Sequence, residues 1–135
     1  MNSFSFHQKA NGISPTISII KTTKGLKFGG YTEKTWENDS GTWIIDDKSF
    51  VFSLEYMKIY NHIQGKNAIY HDNKFGPSFV GCYYQKINFN ENSNYTYGKE
   101  DSNNFFSGFS RNYELTNGES NFTIEETEVF KVLFE

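Results

Sequence analysis

Three histidines, one cysteine and scattered carboxylates are the residues of this sequence that could carry chemistry. His7, His62 and His71 lie far apart, and none stands in a metal-ligand spacing with Cys82, so the pattern supports no zinc site. His71-Asp72 has the composition of a general base with its orienting acid. Neighbours on a strand point to opposite faces, however, so the pair does not face itself. Cys82 has a basic neighbour in Lys86 that would favour a reactive thiolate. A single cysteine with no resolving partner reads more simply as a small buried hydrophobe. Asp46-Asp47 before a strand is turn chemistry. There is no nucleophile elbow, no HExxH and no glycine-rich nucleotide loop. Gly29-Gly30 lacks both a following helix and the lysine of a phosphate cradle.

Strands must position whatever function remains. Ser14–Thr32 reads as two strands joined by the tight turn Thr22-Thr23-Lys24-Gly25, with Ile17 and Ile19 on one parity and Leu26 and Phe28 alternating with Lys27 and Tyr31. Gly29-Gly30 interrupts the second strand, which requires either a bulge or a close approach by another chain segment. Residues 4–10 form a short helical turn or a frayed end, broken by Asn11-Gly12. The polar stretch Glu33–Asp47 carries Trp36 and Trp43 and is expected to be a loop folded back over one end of the domain. Ser49–Leu54 is a strand with Phe50, Phe52 and Leu54 on one side and Val51 on a side that is only partly dry. Tyr56–Tyr60 and Asn67–His71 are further short strands, and Val80–Phe89 a longer one. Asn90–Asn104 is a polar excursion, expected to be the most mobile part. Phe105–Leu115 returns as a strand, Asn117-Gly118 is a turn, and Phe122–Phe134 closes the domain.

The closing strand holds an anomaly. Strict alternation puts Glu126 and Glu128 on the face of Phe122, Ile124, Phe130 and Val132, and a carboxylate facing a core is costly unless paired. A bulge that resets the register, a sheet edge flaring into solvent, or a partner such as Lys21 or Lys27 each resolves it. The bulge and the flare are preferred to a buried functional acid.

Bulk composition narrows the partners. One domain of 135 residues can build a core without metals or disulfides. Aromatics at 19% and scarce Leu and Ala point to an aromatic core laid out in sheets. A formal charge of −3 argues against nucleic acid or an anionic membrane. Lys24–Tyr31, KGLKFGGY, has the basic and aromatic character of an RNA-recognition strand, but Leu26 replaces a stacking aromatic. The single cysteine suits a reducing compartment, no run approaches membrane-spanning length, and the N-terminus has no apolar signal region, so cytoplasm is the expected location.

Three ordered segments resemble the TLDc domain of the eukaryotic oxidation-resistance proteins. The first is Phe6-His7, Ser14-Pro15-Thr16, Ile19-Ile20-Lys21 and Phe28-Gly29-Gly30-Tyr31-Thr32 with Trp36. The second is Phe50-Val51-Phe52-Ser53-Leu54 with Ala68-Ile69-Tyr70 and Gly76-Pro77-Ser78-Phe79. The third is Gly118, Asn121-Phe122 and Glu126-Thr127-Glu128-Val129-Phe130-Lys131-Val132. The family's opening Leu-Leu-Tyr-type strand has no counterpart, and its glycine-rich run is reduced to Gly81. Residues 1–135 are therefore expected to be a single TLDc-like domain, N-terminally truncated relative to the family. The resemblance implies a mainly β (α+β) fold, two antiparallel sheets packed as a β-sandwich with a few short peripheral helices. It implies no catalytic residues and no cofactor. It further implies a protein-interaction role in oxidative-stress protection, with V-type ATPase subunits as partners. Gly29, Gly30, Gly81, Glu126 and Glu128 are the binding or fold-critical candidates it carries over, the glycines preferably as backbone geometry. The alternative is a redox or hydrolytic enzyme of peroxide defence using Cys82 or a carboxylate.

Overall fold

A computed structural model describes residues 3–37, 40–85, 94–97 and 105–134. In chain order the elements are α1 (Ser3–Ala10), β1 (Thr16–Thr22), β2 (Lys27–Thr32), β3 (Ser40–Ile45), β4 (Phe50–Ser53), β5 (Lys58–Asn61), β6 (Asn67–Asp72), β7 (Tyr83–Tyr84), β8 (Asn94–Thr96), a 3-10 turn (Glu114–Thr116), β9 (Asn121–Phe122) and β10 (Ile124–Lys131). All named strand pairs are antiparallel. One layer is a five-stranded sheet in the order β10-β1-β2-β4-β5. The other is built from β3-β6 and β7-β8-β9, stitched together by Phe79, which bridges to Ile69 and to Tyr83. The layers meet through edge-to-face rings: Phe28 of β2 lies 5.0 Å from Tyr83 and 5.3 Å from Phe122. This is the aromatic core in sheets that the composition implied, in the two packed antiparallel sheets that the resemblance implied.

The faces are reversed from the sequence expectation. In β1 the buried parity is Thr16, Ser18, Ile20 and Thr22, whereas Ile17 and Ile19 are half-buried on the outer side. In β4 the fully buried residue is Val51, with Ser53, while Phe50 and Phe52 face outward and Leu54 is exposed. The reason is volume. The second layer contributes large rings, so the first sheet answers with small side chains where they land. Phe79 sits over Gly30, and the Trp36 indole nitrogen donates to Thr16 Oγ1 at 3.1 Å.

Other segments also differ. Trp36 is buried as expected, but residues 40–45 are a strand rather than a loop, and Trp43 is 54% exposed against Tyr70. The Val80–Phe89 strand is only Tyr83–Tyr84 within the described residues, and 86–89 lie outside them. In the polar stretch 90–104, Asn94–Thr96 form β8, Tyr97 follows with its N–H donating to the Cys82 carbonyl at 2.7 Å, and the other residues lie outside the described ones. Residues 105–115 make one bridge, Phe106 to His62, and end in the 3-10 turn instead of forming a strand. The hairpin, β4, β5 and β6 lie where they were predicted. Helix α1 is a real helix, fastened by His7, whose Nε2 lies 2.8 Å from the carbonyl oxygens of Asp72 and Phe75.

Candidate interaction surface

Register fixes what the outer face of the five-stranded sheet presents, because directly opposed residues share a face. One row is Phe130-Ile17-Tyr31-Phe50-Asn61, and the next is Glu128-Ile19-Gly29-Phe52-Ile59. A third is charged, Glu126-Lys21-Lys27, with Leu54 beside it. Tyr31 and Phe50 stack at 5.0 Å. Ile59 and Phe130 are 59% and 48% exposed. None of these outer residues belongs to the core cluster or packs against it. Where the apolar and charged rows meet, Ile19, Lys21, Lys27, Leu54, Glu126 and Glu128 line an open groove of about 190 Å³.

The glutamate anomaly resolves through a bulge. Lys21 is opposite Glu126 but Thr22 is opposite Ile124, leaving Glu125 as the extra residue. The bulge lets Ile124 pack on the core and turns Glu126, Glu128 and Phe130 outward together. Phe130 therefore shares the glutamates' solvent face instead of the core. Lys21 Nζ lies 3.5 Å from Glu125 Oε1, so the bulged residue rather than Glu126 carries the ion pair.

The glycine candidates occupy different environments. At Gly29 an added Cβ would stand 1.8 Å from the Ser18 carbonyl oxygen and 2.9 Å from Phe52 Cζ. At Gly30 it would stand 2.4 Å from Phe79 Cζ on the inner side. Pairing of β1 with β2 runs through both without a shift, so close approach, not a bulge, explains the pair. Gly81 has φ 75° in the turn before Cys82, a backbone that favours glycine.

The candidates for covalent or acid–base chemistry do not converge. Cys82 is fully buried, and burial pushes its thiol well above the ordinary value, holding it protonated. Lys86 lies outside the described residues. His71 Nε2 lies 2.8 Å from the Thr35 carbonyl oxygen, whereas Asp72 accepts from Tyr70 OH and the Lys74 N–H. Asp46 is turn chemistry as expected, accepting from Thr32 Oγ1 at 2.6 Å and from the N–H groups of Glu33 and Lys48. No group of three or more potential metal ligands clusters among the described residues.

One group escaped the sequence reading. Glu114 is 2% exposed and carries a carboxylate. It accepts from Tyr60 OH, from Lys58 Nζ at 3.1 Å and from the Ser110 N–H at 3.0 Å. Burial pushes its carboxyl up. The bonds from Tyr60, Lys58 and Ser110, with the Lys58 charge, outweigh that and hold it below the usual value. Burial, then the bond to Glu114, raises Tyr60 far above a normal phenol. Glu114 thereby ties the 105–118 segment over β5. Lys58 and Tyr60 share a strand face, which is the one sequence sign of such a receiver, but their acid lies 54 or more residues away.

The family model for the TLDc domain matches residues 1–133. The chain belongs to the TLDc domain family. No curated protein matches it. In this TLDc domain the motif residues divide into two groups. Gly30, Trp36 and Phe79 hold the layers together, Gly29 gives Phe52 room on the outer face, and Glu126, Glu128 and Phe130 stand on that outer face. No described helix is long and apolar enough to cross a membrane.

Proposed function

We propose that this TLDc domain is a non-enzymatic protein-interaction module that docks its partner on the outer face of the five-stranded sheet. The observation that carries this is the ladder of half-buried and exposed apolar residues on β1, β4, β5 and β10, joined across β2 by the buried Tyr31 and bordered by the Lys21, Lys27, Glu126 and Glu128 groove. Exposed apolar surface of this extent with a charged rim is characteristic of an interaction site. The partner is the cytosolic part of a V-type proton pump, contacted in the cytoplasm, and the outcome is protection against oxidative stress. Family membership supports this choice of partner. The buried, protonated Cys82 favours binding over thiol chemistry.

The test uses the purified peripheral sector of the host's pump, with the TLDc domain immobilised for interferometry and ATP hydrolysis followed in parallel. Wild type binds and changes the hydrolysis rate, and Ile59→Asp and Phe130→Asp lose both while keeping their thermal midpoint. No binding by a folded wild type removes the pump as partner. Undiminished binding by both variants removes the face.

A further inference from the structure

The two edges of the five-stranded sheet are treated differently. Beyond β5 the chain covers its own edge: Ile63 N–H donates to the Phe105 carbonyl, Ser107 N–H to the Asn61 carbonyl, and His62 bridges to Phe106. At the other end β10 pairs with β1 alone among the described residues. Val132 N–H donates to the Pro15 carbonyl, toward β1. The alternation of an antiparallel ladder then aims the backbone groups of Glu126, Glu128 and Phe130 at β1 and those of Thr127, Val129 and Lys131 away from it. Those outward N–H and C=O groups have no backbone partner among the described residues.

We propose that β10 is a docking edge for an extended basic segment of a partner protein, added as an antiparallel strand. The inference rests on the reading of this domain as an interaction module and names how the partner engages it. Antiparallel addition matches the rest of the sheet and is the more stable pairing. It continues the outer rows outward, so the residue opposite Phe130 is apolar and those opposite Glu128 and Glu126 are Lys or Arg. Read along the added strand, the pattern is apolar-x-basic-x-basic. Charge selects this occupant over a second copy of the chain. A twofold β10 pair centred on Glu128 sets that residue against itself, and one centred on Thr127 sets Glu126 against Glu128. A pair centred on Val129 leaves both glutamates without a cation.

The test is fluorescence anisotropy with a labelled peptide, Thr-Phe-Thr-Lys-Thr-Lys-Thr. Its isomer Thr-Thr-Phe-Lys-Lys-Thr-Thr has the same charge without the alternation. The alternating peptide binds about ten-fold more tightly, the equivalent of one net hydrogen bond or charged pair. N-methylation of the threonines that face Thr127 and Val129 abolishes binding, whereas N-methylation of the lysines does not. Lys131→Pro removes one outward N–H and weakens binding about ten-fold, while Lys131→Ala does not. Glu126→Lys/Glu128→Lys rejects this peptide and accepts one with Glu in place of Lys. Equal binding of the two isomers, indifference to N-methylation, or no binding overturns the proposal. So does self-association of the protein alone that Lys131→Pro abolishes. If any of these occurs while Ile59→Asp still releases the pump sector, edge addition fails and the module reading stands.

Discussion

Removing the Glu114 carboxylate by Glu114→Ala should destabilise the domain by about 1–4 kcal/mol, most of it from one orphaned hydroxyl. The three donors it leaves behind are unequal. Lys58 Nζ sits on a side chain about one-third exposed, so water replaces the acid there and the loss is roughly 0–1 kcal/mol. Ser110 lies on an exposed segment, and its N–H is likewise re-solvated. Tyr60 is completely buried, and its hydroxyl without an acceptor costs about 1–3 kcal/mol. Tyr60→Phe removes the donor instead and should cost about 1–2 kcal/mol. The double variant should then lose less than the sum, because the phenylalanine leaves nothing to orphan. Urea titration of the four proteins, with m unchanged, reads the cycle. A Glu114→Ala loss below about 0.5 kcal/mol, or strict additivity with Tyr60→Phe, refutes the reasoning. The pH dependence carries the same sign. The folded carboxyl is depressed below 4.5, so its contribution is present above that value and lost as pH falls through the folded pKa. Glu114→Gln should therefore flatten the acid limb of the stability curve.

Further outcomes follow from the same contacts. Gly30→Ala drives a methyl into the Phe79 ring and should cost about 1–3 kcal/mol or more, read by thermal melting. Cys82 should resist an aromatic disulfide reagent in the native protein and react fully in urea; fast native labelling, or peroxide consumption lost in Cys82→Ser, would revive the enzyme alternative. Alkali should unfold the domain. Burial raises Cys82, Tyr60 and Tyr83 and pushes Tyr84 up to about 12, so the stability they contribute is intact below their unfolded values and is lost as pH rises from about 9. The share of tyrosinate absorbance that belongs to Tyr60, Tyr83 and Tyr84 should appear only in step with unfolding, and appearance of the full tyrosinate signal while the protein is still folded would contradict this.

Strand positions in the first hairpin, in β4 and in β6 were legible because period-two patterns and turn residues mark them locally. Which side of each strand faces the core was not. Ile17 and Ile19 on one parity and Ile20 on the other leave a choice that only the opposite layer makes, and here that layer brings Phe79 and Trp36 against Gly30 and Thr16. Residues 40–45 were hidden because an edge strand with Trp43 and Ile45 exposed has a loop's polar surroundings. The site was half legible. Two glutamates out of phase pointed to a bulge or a flare into solvent, and the register shift at Lys21/Thr22 makes it the bulge. The Glu114–Tyr60 contact was not, because nothing local links residues so far apart in sequence.

Hydrogen–deuterium exchange of the TLDc domain with and without the pump's peripheral sector tests the central claim most directly. The account predicts slowed exchange at the outward amides of Thr127, Val129 and Lys131, extending across β1 and β4. Protection confined to β3 and β6, around the exposed Trp43, would place the partner on the other layer and contradict it.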